Sequence, residues 1–140
     1  MKKQVIILSL TAFLLGMVSC RTSQTQLAGV YWKLTELSGK PIPPRSEGAA
    51  EPHLTFQSGE NRVFGHGGCN TFRGTYELKS DGGIRFSPMA ATLKMCFNAE
   101  TENEYMRVFE ATEYYELKGS TLVLYKEKGN PLAQFEAIRK

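Results

Sequence analysis

The side chains with the widest chemical scope in this 140-residue chain are two histidines and three cysteines. His66-Gly67-Gly68-Cys69 puts an imidazole three positions before a thiol, and Cys96 and His53 could complete a set of four nitrogen and sulfur ligands of the kind zinc accepts. No C-x-x-C or H-x-x-x-H pair anchors that set, so the sequence assigns neither a metal nor a cofactor. Nucleophilic catalysis needs a base beside the nucleophile and a third group to orient it. Two histidines without a G-x-S-x-G elbow offer no such arrangement, and no residue is assigned a catalytic role. The acids Glu100, Glu102 and Glu104 open a predicted helix, where the positive end of the dipole favours them and solvent can receive them. The chain is expected not to be an enzyme, and its chemistry comes down to what the cysteines do.

The amino terminus bears on the first of them. Met1-Lys2-Lys3 is basic, Val5 to Val18 is an apolar run without charge, and small Ser19 precedes Cys20. This is the layout of a signal peptide over residues 1–19, with an apolar run too short to cross a membrane comfortably. Ser19-Cys20 resembles the lipobox of bacterial lipoproteins, with Met17 standing where leucine is usual. In that class the cysteine thiol takes a diacylglycerol and the new amino terminus is usually acylated too, with palmitate the expected label. The resemblance implies lipidation of Cys20 and a place in the cell envelope. Arg21 stands where an aspartate would signal inner-membrane retention, so the outer membrane, facing the periplasm, is expected. An ordinary signal peptide with an incidental cysteine is the other reading.

With Cys20 assigned to lipid, Cys69 and Cys96 remain as an even pair in a compartment that permits disulfides. A bridge closing that loop would stabilise the fold by roughly 3–4 kcal/mol; two separate buried thiols are the alternative. The formal net charge is +3, and Lys2 and Lys3 supply two of those charges, so the remainder is nearly neutral. No basic cluster is left to track phosphates, which excludes nucleic acid as a partner. The expected contacts are a membrane, through the anchor, and an envelope protein or apolar ligand; the chain is expected to be a monomer.

The elements that must position these residues follow from pattern. Residues 20–26 read as a polar, lipidated tether and 27–138 as one domain. Gly29 to Leu37 is aromatic and β-branched, a strand stopped by Ser38-Gly39-Lys40-Pro41. Pro41 to Pro52, with four prolines, reads as an irregular loop. His53-Leu54-Thr55-Phe56 and Arg62-Val63-Phe64-Gly65 form a hairpin. Thr71 to Lys79 alternates, with Phe72, Gly74, Tyr76 and Leu78 on one face, and turns at Ser80-Asp81-Gly82-Gly83 into Ile84-Arg85-Phe86. Ala90 to Phe97 is a further strand. A helix starts near Thr101, where Thr101 and Glu104 stand in capping-box spacing. Tyr105, Val108, Phe109 and Thr112 continue its apolar face. Three strands in a meander complete about eight strands and one helix, a pattern that suits a sandwich or a curled barrel.

The stretch Gly65-His66-Gly67-Gly68-Cys69-Asn70-Thr71-Phe72-Arg73-Gly74-Thr75-Tyr76 reads as G-x-G-G-C-N-x-F-x-G-x-Y. It resembles the signature of the META domain family, the heat-shock-inducible HslJ-like lipoproteins. Leu27-x-Gly29-x-x-Trp32-Lys33-Leu34, Thr92-Leu93-Lys94-Met95-Cys96 and Gly119-x-x-Leu122-x-Leu124 are similar to the same family, in its order. The resemblance implies a mainly β fold with one helix, a curled antiparallel sheet or cracked barrel with the helix on it or at its mouth. Gly65, Gly67, Gly68, Asn70, Gly74 and Tyr76 are then structural motif residues. It implies no catalytic residues and an association with stress responses. The fold also resembles small pilotin lipoproteins, which carry an apolar groove. Two functional expectations follow: a non-catalytic lipoprotein of stress protection or envelope assembly that binds a protein or apolar ligand, or a lysozyme-inhibitor-type protein that inserts loop 41–52, with Arg45 and Glu47.

Overall fold

Strand β1 (Tyr31–Leu37) turns Trp32 and Leu34 into the protein and its alternate residues outward, the period of a sheet with one buried face. A bulge between Leu34 and Glu36 resets the alternation so that Leu37 also faces inward. Ser38 and Gly39, both at positive φ (47° and 75°), then reverse the chain into β2 (Lys40–Pro41). In this computed structural model, which describes residues 26–45, 47–97 and 99–138, the remaining strands are β3 (His53–Phe56), β4 (Arg62–His66), β5 (Thr71–Leu78), β6 (Ile84–Phe86), β7 (Ala90–Ala91), β8 (Tyr114–Lys118), β9 (Thr121–Glu127) and β10 (Asn130–Ile138). One helix, α1 (Glu100–Ala111), precedes β8. The expected signal peptide over residues 1–19 and the expected lipidation site Cys20 lie outside the described residues.

The main path of the sheet runs β6-β5-β4-β3-β1-β10-β9-β8, all antiparallel, with β2 on β1 and β7 on β5. Its two ends approach each other. The Ile84 N–H donates to the Glu113 carbonyl at 2.9 Å and Gly83 bridges Tyr114. The sheet is thus a nearly closed, eight-strand barrel, which leaves few edges open.

Helix α1 packs into the barrel, with its first turn at the 66–70 turn and its end leading to Glu113 beside Ile84. Tyr105 and Phe109 insert among Phe72, Phe86 and Phe135, with ring centroids 5.1–5.9 Å apart. Each large side chain buried in this way contributes about 1.5–3 kcal/mol relative to exposure. Buried Leu27 packs at the start of the domain, its carbonyl accepting the Trp32 indole N–H at 2.9 Å, while Ala28 bridges Phe56. The chain therefore enters the domain beside Phe56, at the end of β3 remote from His53, His66 and the glycine turn.

Three local expectations are corrected. The helix begins at Glu100 behind Ala99, which has no side-chain acceptor, so Thr101 sits inside the first turn and the capping box does not form. Glu104 instead accepts the Ser38 hydroxyl at 2.7 Å. The strand expected over 90–97 is regular only at Ala90–Ala91: the Thr92 N–H still donates to the Thr71 carbonyl, but the Thr71 N–H returns to the Thr92 hydroxyl and the Lys94 N–H goes to the Asn70 side chain, so the ladder stops. Leu78, expected on the inward face, is 48% exposed at the end of β5.

Candidate functional site

The turn joining β4 to β5 is built around a carboxylate. Glu102, in the first turn of α1, points back into it. The main-chain N–H groups of Cys69 and Asn70 donate to its Oε2 at 2.9 and 2.7 Å, and the Asn70 side-chain Nδ2 donates to Oε1 at 2.6 Å. A Cβ on Gly67 would stand 2.5 Å from Glu102 Cγ, so only glycine fits there, and Gly68 takes a φ of 118° to aim the following amides. Burial pushes the Glu102 carboxyl up, but the three N–H donors outweigh it and hold the group below its ordinary 4.5. Glu102 is only 8% exposed, so the expectation that the helix-start acids face solvent fails for this residue.

Asn70 carries the network further. Its Oδ1 accepts the Thr92 hydroxyl and the Lys94 N–H, both at 2.8 Å. One side chain thereby joins the helix, the glycine turn and the segment that follows β7. Cys69 and Cys96 are joined by a disulfide with Cα atoms 6.1 Å apart, which clamps the same segment a second time. His66 completes the turn: its Nδ1 accepts the Gly68 N–H at 3.0 Å, which places the proton of the neutral ring on Nε2. Burial and the nearby His53 hold His66 below its ordinary 6.5, against the opposing pull of Glu102.

The clamped segment displays apolar side chains. Leu93, Met95 and Phe97 have relative exposures of 97%, 100% and 113%. Met95 and Phe97 line a groove of about 490 Å³ whose other walls are the glycine turn, the proline-rich loop and the first turn of α1. That loop is held down by buried Pro52, whose carbonyl accepts the Leu34 N–H at 3.0 Å, and by Ile42, whose N–H donates to Thr35 at 2.9 Å. Arg45 and Glu47 are exposed on it.

The sequence motif divides accordingly. Gly65 lies where a Cβ would strike the His53 carbonyl and the Phe72 ring, Gly74 faces Met89, and Tyr76 packs edge-on to Phe56 at 4.9 Å. Asn70 and Gly67 belong to the site itself. The four possible zinc ligands do not act together: the disulfide takes both thiols, and His53 directs Nδ1 to the Glu51 carbonyl at 2.9 Å while stacking on Tyr31. Among the described residues no three His, Cys, Asp or Glu side chains could hold a metal. Sequence reasoning missed Glu102 and the display of Leu93, Met95 and Phe97. The available signal was the run of amides in Gly67-Gly68-Cys69-Asn70, which forms a nest that calls for an anion.

Comparison with known proteins bears on fold. Residues 25–138 match the model of the META domain. No curated protein matches. One similar structure, solved by NMR, has a TM-score of 0.61 at 23% identity over 79% of this chain and 91% of its own. An NMR structure of a protein from Burkholderia xenovorans has a TM-score of 0.58 at 20% identity, over 81% and 85%. The crystal structure of a DUF4847 family protein from Bacteroides vulgatus has a TM-score of 0.57 at 16% identity, over 81% and 96%.

Proposed function

The chain belongs to the META domain family, and on that premise we propose that it is a non-catalytic binding module of the bacterial envelope, anchored by lipid on Cys20, that receives an apolar stretch of another envelope protein. Stress protection or envelope assembly is the setting that reading suits. One observation carries it: three large apolar side chains stand fully exposed in a row on a segment that is clamped, not loose. Apolar surface left in water forgoes about 25 cal/mol per Å². A contiguous patch that a rigid scaffold holds open is a signature of an interaction site.

Orientation favours a protein over the anchoring bilayer as the occupant. The chain enters the domain beside Phe56, at the end of β3 remote from the glycine turn that walls the groove. Tether residues 21–26 reach at most about 20 Å, so a domain held by Cys20 presents its groove away from the membrane. Loop 41–52 serves as a wall of the groove, pinned by Ile42 and Pro52, which suits an inserting inhibitor finger less well.

The test places a photo-crosslinking amino acid at Phe97, or at Ser58 in the turn after β3, in the lipidated full chain within intact cells. A discrete protein adduct is expected from position 97 and not from 58. Equal adducts from both positions, or none from 97, would overturn the proposal. In parallel, Cys20→Ala should abolish fatty-acid labelling and the adduct together.

A further inference from the structure

Strand β7 and the residues after it run along the margin of the sheet. Ala90 and Ala91 pair with Arg73 and Phe72 of β5. The Thr92 N–H donates to the Thr71 carbonyl at 3.0 Å, and the Lys94 N–H donates to Asn70 Oδ1. The inward bonds thus fall at 92 and 94, and an extended chain directs the N–H and C=O groups of 93 and 95 the other way. Among the described residues no hydrogen bond reaches the N–H of Leu93 or Met95. The barrel closes against β8 only lower down, at Gly83 and Ile84, so among the described residues nothing pairs with the outer side of this stretch. Natural proteins blunt such edges, and here the edge carries exposed Leu93 and Met95 instead.

We propose that residues 90–95 are a strand-addition site for an extended segment of another protein that is apolar at alternate positions and acidic between them. The inference rests on the binding-module reading and adds the mode of binding and the chemistry of the partner. Alternation fixes that chemistry. Arg73 registers with Ala90, which shares a face with Thr92 and Lys94, while Leu93 and Met95 belong to the other face. A strand added at this edge meets Leu93 and Met95 with one set of side chains and the cations Arg73 and Lys94 with the other. Among the described residues neither cation makes an ion pair. A second copy of this chain fits less well, because a two-fold seam would bring both pairs of cations together.

The experiment selects ligands for the lipidated full chain in detergent from a random displayed dodecapeptide library. The enriched peptides should alternate apolar residues with Asp or Glu. Met95→Pro removes an outward N–H and no inward one, so it should weaken their binding about ten-fold beyond the effect of Met95→Ala. Methylating alternate backbone nitrogens of the peptide should have the same effect on the unaltered protein, a readout independent of how the variant folds. Enriched peptides that tolerate both changes would overturn strand addition and leave the binding module standing. Basic or helically patterned winners, or no enrichment at all, would overturn the partner chemistry. A chain that dimerises through this edge would replace the partner with a second copy and overturn the proposal.

Discussion

The glycine turn at 66–70 and the segment at 92–97 meet at Asn70, yet their polar groups are completed in opposite ways. In the turn, the amides of Gly67, Gly68, Cys69 and Asn70 all find acceptors inside the protein, two of them on one buried carboxylate. In the segment, amides are satisfied on one side only, and the large side chains lie in water. A buried donor without a partner costs about 1–3 kcal/mol, which the fold avoids in the turn. Exposed apolar surface is tolerated in the segment because the disulfide and Asn70 hold it whether or not those side chains pack. Internal completeness marks what the fold needs, and the unfinished edge is where the proposed partner would add.

The sharpest break in this contrast is removal of the clamp. Reducing Cys69–Cys96, or replacing both with serine, should cost about 3–4 kcal/mol in urea unfolding, because the loop gains freedom mainly in the unfolded chain. Either single replacement should cost about as much as both. Free-thiol titration of the oxidised protein should find none at these positions; two reactive thiols would refute the bridge.

Next in size is the anion in the turn. Glu102→Ala should cost roughly 3 kcal/mol, since several N–H donors lose a charged acceptor. Asn70→Ala should be strongly non-additive with it in a double-mutant cycle; additive losses would show that the network is not one unit. The same turn should be sensitive to acid. His66 and Glu102 both sit below their ordinary values of 6.5 and 4.5. Each therefore contributes stability that is complete above its unfolded value and is lost as pH falls through its folded one. Loosening should begin below about pH 6.5, with His66, and deepen below about 4.5, with Glu102. An NMR titration that places His66 above 6.5 would reverse the first step.

The smallest expected effect is the most telling. Replacing Leu93, Met95 and Phe97 together with serine should change stability by less than about 0.5 kcal/mol, as at ordinary surface sites. A loss of several kcal/mol would mean that these side chains pack, and the contrast between the two segments would collapse.

Much of the scaffold was legible beforehand. Phe72 and Tyr76 announced an inward face because strand alternation is written in adjacent residues, and the turns at 38–39 and 80–83 carried their own chemistry. Leu78 broke the pattern because an inward-facing position at a strand end buries nothing unless the barrel covers it. The capping box failed because helix entry is governed by the preceding chain, here led in by Ala99, and spacing alone does not place the N-cap.

By itself the sequence determined most of the strands and their turns, the presence of the helix, the family motif and a pair of cysteines free to join. These follow from interactions between near neighbours or from a pattern carried in order along the chain. The tertiary structure alone decided that Glu102 is buried, that Asn70 is a hub and that the sheet margin at 90–95 stays open. Each depends on groups far apart in sequence: Asn70 and Glu102 are separated by 32 positions, and Asn70 and Lys94 by 24. A carboxylate at a helix start looks the same in sequence whether water or a nest of amides receives it. Only the approach of the distant turn makes it a lock, and only the point at which the barrel closes leaves the neighbouring edge free.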